Sequence, residues 1–268
     1  MKRLLLTVEY DGSAYAGWQR QLNGLAVQQV LEEALSAACG HPVTVTGSSR
    51  TDAGVHARMQ MVHFDSGCTI PPDKFPFVLN NLLPPDIRVQ ASREVPAGFH
   101  ARFLTSGKTY TYRILNNRHG SALLRATRWH VPVPLDYPSM RKALEYLPGT
   151  HDFAAFQASG GTARTTIRTV ERADLAATGP EFTLTVSGNA FLYNMVRIIA
   201  GTLVEIGLGK RETDAFSRAF ISLNRLDLGM TAPPCGLELT EVRYPEKAFS
   251  DPNAVRWHED DAAQSGEE

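Results

Sequence analysis

The sequence predicts an α+β fold of two lobes, each a mostly antiparallel sheet with helices on one face. Three observations predict it. Short β-branched runs are interrupted by stretches of helical period, and this mixture occurs twice along the chain. The segment from Gly98 to Gly107 separates the two sets. The 268 residues, 43% apolar and 21% charged, supply a core for one large domain or two small ones. The resulting division is an N-terminal lobe over 1–105, a C-terminal lobe over 106–247 and a tail over 248–268.

In the first lobe, residues 2–10 read as a strand and 11–24 as a loop carrying glycines and aromatics. Residues 25–39 place Val27, Val30, Leu31, Ala34, Leu35 and Ala38 on one helical face. Residues 43–48 are a β-branched run, 49–57 a loop and 58–65 a strand. A short helix over 73–82 stops at Pro84-Pro85, and 87–95 is a further strand.

In the second lobe, 108–116 alternates with Tyr110, Tyr112 and Ile114 on one face, and 128–133 is a short strand. Residues 139–147 form a helix closed by Pro148-Gly149. Residues 165–175 and 181–187 form a hairpin around Gly179. The helices 190–206, apolar, and 212–223, amphipathic, precede a last strand over 237–244.

Net charge is −1, which argues against a nucleic-acid binder until its distribution is considered. Residues 246–268 hold seven acids and two bases, leaving 1–245 at +4. The acidic end reads as a solvated, disordered tail. Between Glu94 and Asp136 there is no acid. That stretch holds Arg102, Lys108, Arg113, Arg118, Arg125 and Arg128 beside Phe99, Phe103, Tyr110, Tyr112 and Trp129. Bases interleaved with aromatics suit phosphate contact and base stacking, although a strand with a solvated basic face has the same composition.

Cys39, Cys68 and Cys235 are scattered, with no C-x-x-C, so neither a zinc site nor a disulfide framework is expected. Glu9 and Asp11 follow the apolar start too soon for a signal peptide, and no run reaches the ~18 apolar residues of a membrane span. These features predict a cytoplasmic protein without membrane attachment. There is no G-x-S-x-G, Walker loop or H-E-x-x-H.

The segment Gly47-Ser48-Ser49-Arg50-Thr51-Asp52-Ala53-Gly54-Val55-His56-Ala57 is the most informative, and by spacing alone Asp52 is a candidate for the chemistry. An Asp with Gly two residues on is a turn signal in its own right. Here Arg50 and His56 flank it. A partly buried Asp needs a cation to stay ionised. An ionised Asp can be a nucleophile, a general base or half of a structural ion pair. No second acid stands in a comparable setting, which disfavours a two-carboxylate glycosidase.

At this segment the chain resembles the tRNA pseudouridine synthase A family, and the resemblance runs from about residue 3 to 245. It is carried by Tyr10-Asp11-Gly12, Gly17-Trp18-Gln19, Val27-Gln28, Arg50 to Ala57, Asn81 to Pro84 and Phe99 to Phe103. It continues through Lys108-x-Tyr110-x-Tyr112, His151-Asp152-Phe153, Asn189-Ala190-Phe191, Met195-Val196-Arg197 and Gly236-Leu237. The family commonly has Gly before the signature arginine, where this chain has Ser49.

The resemblance implies the pseudouridine synthase fold with RRM/ferredoxin-like halves, and isomerisation of uridine at positions 38, 39 and/or 40 in the anticodon stem-loop of tRNA. It implies Asp52 as nucleophile, Arg197 as its ion-pair partner, Arg50 as the residue that flips the base, Tyr110 stacked on the uracil and Leu237 in the pocket wall. It also implies a homodimer. The product is an isomer of the substrate, so no cofactor and no metal are expected. Two other classes stay open on the residues alone: a non-catalytic protein of RRM-like sheets, and an RNA N-glycoside hydrolase that releases the base.

Overall fold

A computed structural model describes residues 1–251. It is α+β, with five helices and strands that are mostly antiparallel. The described residues form two compact units: 1–106 with 239–251, and 107–238.

The first unit is built on strand β1 (Lys2–Tyr10), antiparallel to β3 (His56–Ser66) on one side and β4 (Ile87–Val95) on the other. The last strand, β10 (Leu237–Arg243), lies beside β3. Chain continuity alone assigns residues 239–247 to the second lobe. The structure groups them with the first, because the Ser106 amide donates to Arg243 O (2.8 Å) and the Tyr244 hydroxyl to Ala101 O (2.6 Å).

Helix α1 (Val27–Cys39) buries Val27, Leu31, Ala34 and Leu35 and ends on Gly40 in the left-handed region at φ 73°. Helix α2 (Phe75–Asn80) follows a 3-10 turn over Pro72–Lys74, so the expected helix 73–82 is shorter and begins differently. The expected strand 43–48 reduces to β2 (Thr46–Gly47). Its upstream amides are satisfied by α1 side chains instead of a ladder: Val43 donates to Ser36 Oγ (2.9 Å) and Val45 to Glu32 Oε1 (3.1 Å).

Residues 248–251 are part of the folded unit, contrary to the expectation of a tail from 248. Ala248 is buried, Phe249 stacks on Phe99 at 5.4 Å, and the Arg93 guanidinium lies 3.9 Å from the Phe249 ring centroid. A short apolar anchor outweighs the acidic composition there. The rest of the expected tail, 252–268, lies outside the described residues.

The Phe99–Phe103 motif closes this unit through two histidines. His63 Nδ1 accepts from the Ala101 amide (3.1 Å), and His100 Nδ1 accepts from the Arg102 and Phe103 amides (both 3.2 Å). Arg3 pairs in a fork with Asp65 and donates to Phe99 O. Burial, then the neighbouring ring and the Arg3 charge, push His63 down to about 3; burial and Arg3 push His100 down to about 4.

Each ring therefore contributes stability that is complete above its unfolded value near 6.5 and lost as pH falls toward the folded value. Going from pH 7 to pH 5 should cost about 2 kcal/mol per ring. Urea melts at the two pH values check this, with His63→Gln expected to shrink the loss and an unchanged loss counting against the assignment.

The second unit has strand order β5 (Gly107–Asn116), β9 (Glu181–Gly188), β8 (Ile167–Thr178), β7 (Gly149–Asp152), all antiparallel neighbours. Strand β6 (Trp129–Val131) pairs parallel to β5. The β8–β9 hairpin turns at Gly179, φ 57°. Helices α3 (Tyr137–Leu144), α4 (Met195–Gly207) and α5 (Ala215–Ser222) complete the unit.

Residues 190–194 are not helical, against expectation. Asn189 spends its side-chain oxygen on the Thr169 and Ala190 amides, and Asn194 sits in the left-handed region at φ 63° before α4 begins. Helix α4 is buried nearly all round, which explains its apolar sequence. The His151-Asp152-Phe153 motif belongs to an aromatic cluster in which His151 stacks on Phe220 at 4.4 Å and Phe153 meets Phe156 at 5.0 Å.

Candidate active site

In the first unit the signature segment is a loop between β2 and β3. Its centre is a β-turn: the Val55 amide donates to Asp52 O (3.1 Å), and Gly54 takes φ 76°. Positive φ at the third turn position calls for glycine. The turn reading of D-x-G therefore holds, and the candidate Asp52 is the first residue of that turn.

Two other glycines let the N-terminal segment lie against this turn. A Cβ on Gly12 would sit 2.0 Å from Val55 O, and one on Gly17 would sit 2.7 Å from Thr51 O. The Trp18 amide donates to Thr51 O (3.0 Å), and the Gly54 amide to Tyr15 O (3.3 Å). The Tyr10 hydroxyl bonds Thr51 Oγ1 at 2.7 Å. Tyr10-Asp11-Gly12 and Gly17-Trp18-Gln19 are thus the cradle of the turn, which explains their presence far upstream.

The near side is held by Gln60, fully buried. Its Oε1 accepts from Ser48 Oγ (2.8 Å) and the Ser49 amide (3.1 Å), and its Nε2 donates to Ser49 O (2.7 Å). Among the described residues, only Asn194 and Leu223 are non-glycines with positive φ. Ser49 therefore occupies its position without the strain that would demand the family's usual glycine. Asp52 emerges half-buried from this frame and Arg50 is exposed. His56 is buried, and its Nδ1 accepts from the Gly12 amide (3.1 Å), a structural task.

In the second unit, Tyr110 and Tyr112 point from the same face of β5. Tyr110 is 7% exposed and meets Phe191 edge to face at 5.1 Å. Tyr112 is fully buried and donates to Pro233 O (2.7 Å). Burial raises its phenol far above the ordinary range, so it stays a donor.

Arg197 lies in the first turn of α4 and is half-buried. Its Nε donates to Ala232 O (2.8 Å) and its Nη1 to Asn194 Oδ1 (2.6 Å), which fixes the plane of the guanidinium. Its own carbonyl accepts from the Ala232 amide (3.0 Å). A Cβ on Gly201 would sit 1.8 Å from Met230 O, so α4 and the irregular segment 230–232 touch backbone to backbone. Leu237, buried, begins β10 directly after Gly236, which has no room for a Cβ beside the Tyr112 ring at 2.7 Å.

Sequence reasoning missed Gln60, Thr51 and Asn194 as positioning residues. The Asn before an apolar helical run was a visible signal, but it reads as an N-cap. Here its side chain serves the arginine three residues on. Among the described residues, no group of three or more His, Cys, Asp or Glu side chains is arranged to hold a metal ion, and no helix is long and apolar enough to cross a membrane.

The sequence matches the family model for tRNA pseudouridine synthase over residues 6–104 and 143–245. It is 47% identical over 245 residues to the tRNA pseudouridine synthase A of Ruminiclostridium cellulolyticum, covering 91% of this chain and 100% of that one. It is 45% identical over 244 residues to the protein of the same name from Acetivibrio thermocellus, again covering 91% and 100%. A solved archaeal box H/ACA sRNP Nop10–Cbf5 complex aligns at 12% identity and TM-score 0.38 over 97% of this chain and 57% of the other, a likeness too remote to bear on fold or function.

A chain with this α+β fold and these matches is an isomerase acting on tRNA. It belongs to the tRNA pseudouridine synthase family.

Proposed function

We propose that this chain converts uridine to pseudouridine at positions 38, 39 and/or 40 of the tRNA anticodon stem-loop, with Asp52 as nucleophile and without a cofactor. The observation that carries the reading is the turn at Asp52, held from three sides by backbone contacts and presented beside an exposed arginine in the segment shared with the family. The reaction breaks the bond from N1 to the sugar, turns the uracil and joins C5 to the sugar; the C5 proton is lost and N1 gains one. Nothing else is consumed.

Each residue has a matching task. Arg50 enters the stack as the target nucleotide leaves it, against an extrusion cost of a few kcal/mol. Arg197 supplies a permanent positive charge that keeps Asp52 ionised. The Tyr110 ring retains the detached uracil by stacking, which leaves in-plane rotation free. Leu237 contributes to the apolar wall. The enzyme works as a cytoplasmic homodimer, with the N-terminal lobe carrying the nucleophile and the C-terminal lobe carrying Tyr110 and Arg197.

Mapping pseudouridine in an unmodified transcript with uridines at 38, 39 and 40 tests the reading; product confined to other positions removes the site assignment. In the same assay Tyr110→Phe should stay within a few-fold of wild type. Tyr110→Ala should lose about 5- to 150-fold, the equivalent of ~1–3 kcal/mol of base stacking. Equal losses in the two variants would move the task to the hydroxyl.

A further inference from the structure

The acid-free stretch of the sequence closes a cavity that none of the residues assigned to the reaction lines. The loop 117–128 joins β5 to β6, and a cavity of about 470 Å3 lies within it, lined by His119, Ser121, Arg125, Arg128, Trp129 and His130 among others. That volume is in the range of small-ligand clefts. The loop is built to keep its shape. Asn117 Oδ1 accepts from the Gly120 amide (2.8 Å), and His130 Nε2 donates to Asn117 O (2.7 Å). Gly120, φ 71°, lies over the His130 ring, where an added Cβ would stand 3.3 Å from it.

The Trp129 ring is fixed edge-on against Tyr112, at 6.2 Å and 89°. Arg128 is neutralised by Glu181 at 2.9 Å. Arg125 is exposed, donates to Ala122 O (2.6 Å), and has no carboxylate partner among the described residues. The cavity therefore holds an uncompensated guanidinium beside an oriented indole, on a loop whose tip is also exposed at Arg118, His119 and Leu123.

We propose that this cavity is an RNA subsite that takes a phosphodiester at Arg125 and the adjoining nucleobase at Trp129. A guanidinium matches phosphate oxygens in a fork, and a fixed indole offers a stacking face to any base. The proposal rests on tRNA being the substrate, and it places a backbone contact on residues outside the reaction chemistry.

Arg125→Glu and Arg125→Gln test it, with a tRNA transcript titrated between 50 and 200 mM salt by filter binding. The side chain is exposed, so folding is not at stake. Arg125→Glu should raise Kd about 10-fold and lower the slope of log Kd against log salt by about one, the signature of one lost phosphate contact. Arg125→Gln should fall between it and wild type, and kcat at saturating tRNA should stay within about two-fold for both.

A wild-type Kd and salt slope in Arg125→Glu overturns the subsite while leaving the isomerase intact. So does weakened binding that light scattering traces to a changed oligomeric state. Wild-type protein that binds tRNA but makes no pseudouridine overturns the proposed reaction instead, and the subsite still stands or falls by the same Kd comparison.

Discussion

Asp52→Asn is expected to lower pseudouridine formation by at least about 10⁴-fold, equivalent to ~5.5 kcal/mol of barrier. The amide has the shape of the carboxylate but cannot act as the nucleophile proposed for Asp52. It leaves the turn intact, because the turn is held by main-chain bonds from Val55 to Asp52 O, from Trp18 to Thr51 O and from Gly54 to Tyr15 O. tRNA affinity should therefore stay within a few-fold, since phosphate contacts dominate it. The readout is pseudouridine mapping beside a binding titration. Wild-type activity in the variant takes Asp52 out of the mechanism. Free uracil as the main product of the unmutated protein would favour a hydrolase, and an intact transcript a binding protein.

Gly12→Ala is expected to lower turnover by on the order of 100-fold, from a residue with no reactive group. All three nearest atoms to the added methyl are Val55 backbone, the closest at 2.0 Å. Main chain cannot rotate aside as a side chain can, so the turn itself must move. A displacement of about 1 Å in a reacting group costs on the order of 100-fold. Overpacking of this kind costs about 1–3 kcal/mol in stability as well.

Gly40→Ala is the control. It has positive φ and nothing within 4 Å of the added carbon, so it should lose about 1–2 kcal/mol of stability and no turnover. A Gly12→Ala protein with wild-type kcat would sink the cradle explanation.

Much of the fold was legible because it depends on local pattern. The period of 25–39, the alternation of 108–116 and the hairpin at Gly179 each predict an element that is present. The elements that shifted did so where side chains captured backbone groups. Glu32 and Ser36 take the amides that would have extended β2, and Asn189 ties the Ala190 amide, ahead of α4, and the Thr169 amide of β8 to one side-chain oxygen. Such captures pair residues up to twenty positions apart, beyond the window of any periodicity.

The signature segment, proposed as catalytic, was legible for a different reason. Arg50, Asp52 and Gly54 lie within five residues, so turn chemistry and reactive groups appear together in one string. Its supports were legible only as unexplained motifs. Gly12, Gly17 and Trp18 read as a loop until the fold lays them against Thr51 and Val55.

The sequence by itself determined the class of fold, the turn at Asp52, the acid-free basic stretch and the family, because these follow from neighbours along the chain. Tertiary structure alone decided which distant groups meet. It brought Cys39 and Cys68 to 3.4 Å as free thiols, set Gln60 against Ser48 and Ser49, and gave residues 239–251 to the first unit. The physical reason is that close approach depends on where backbones have room. A glycine is recorded in the sequence as a missing side chain, but what fills the space it leaves is fixed only when the second segment arrives.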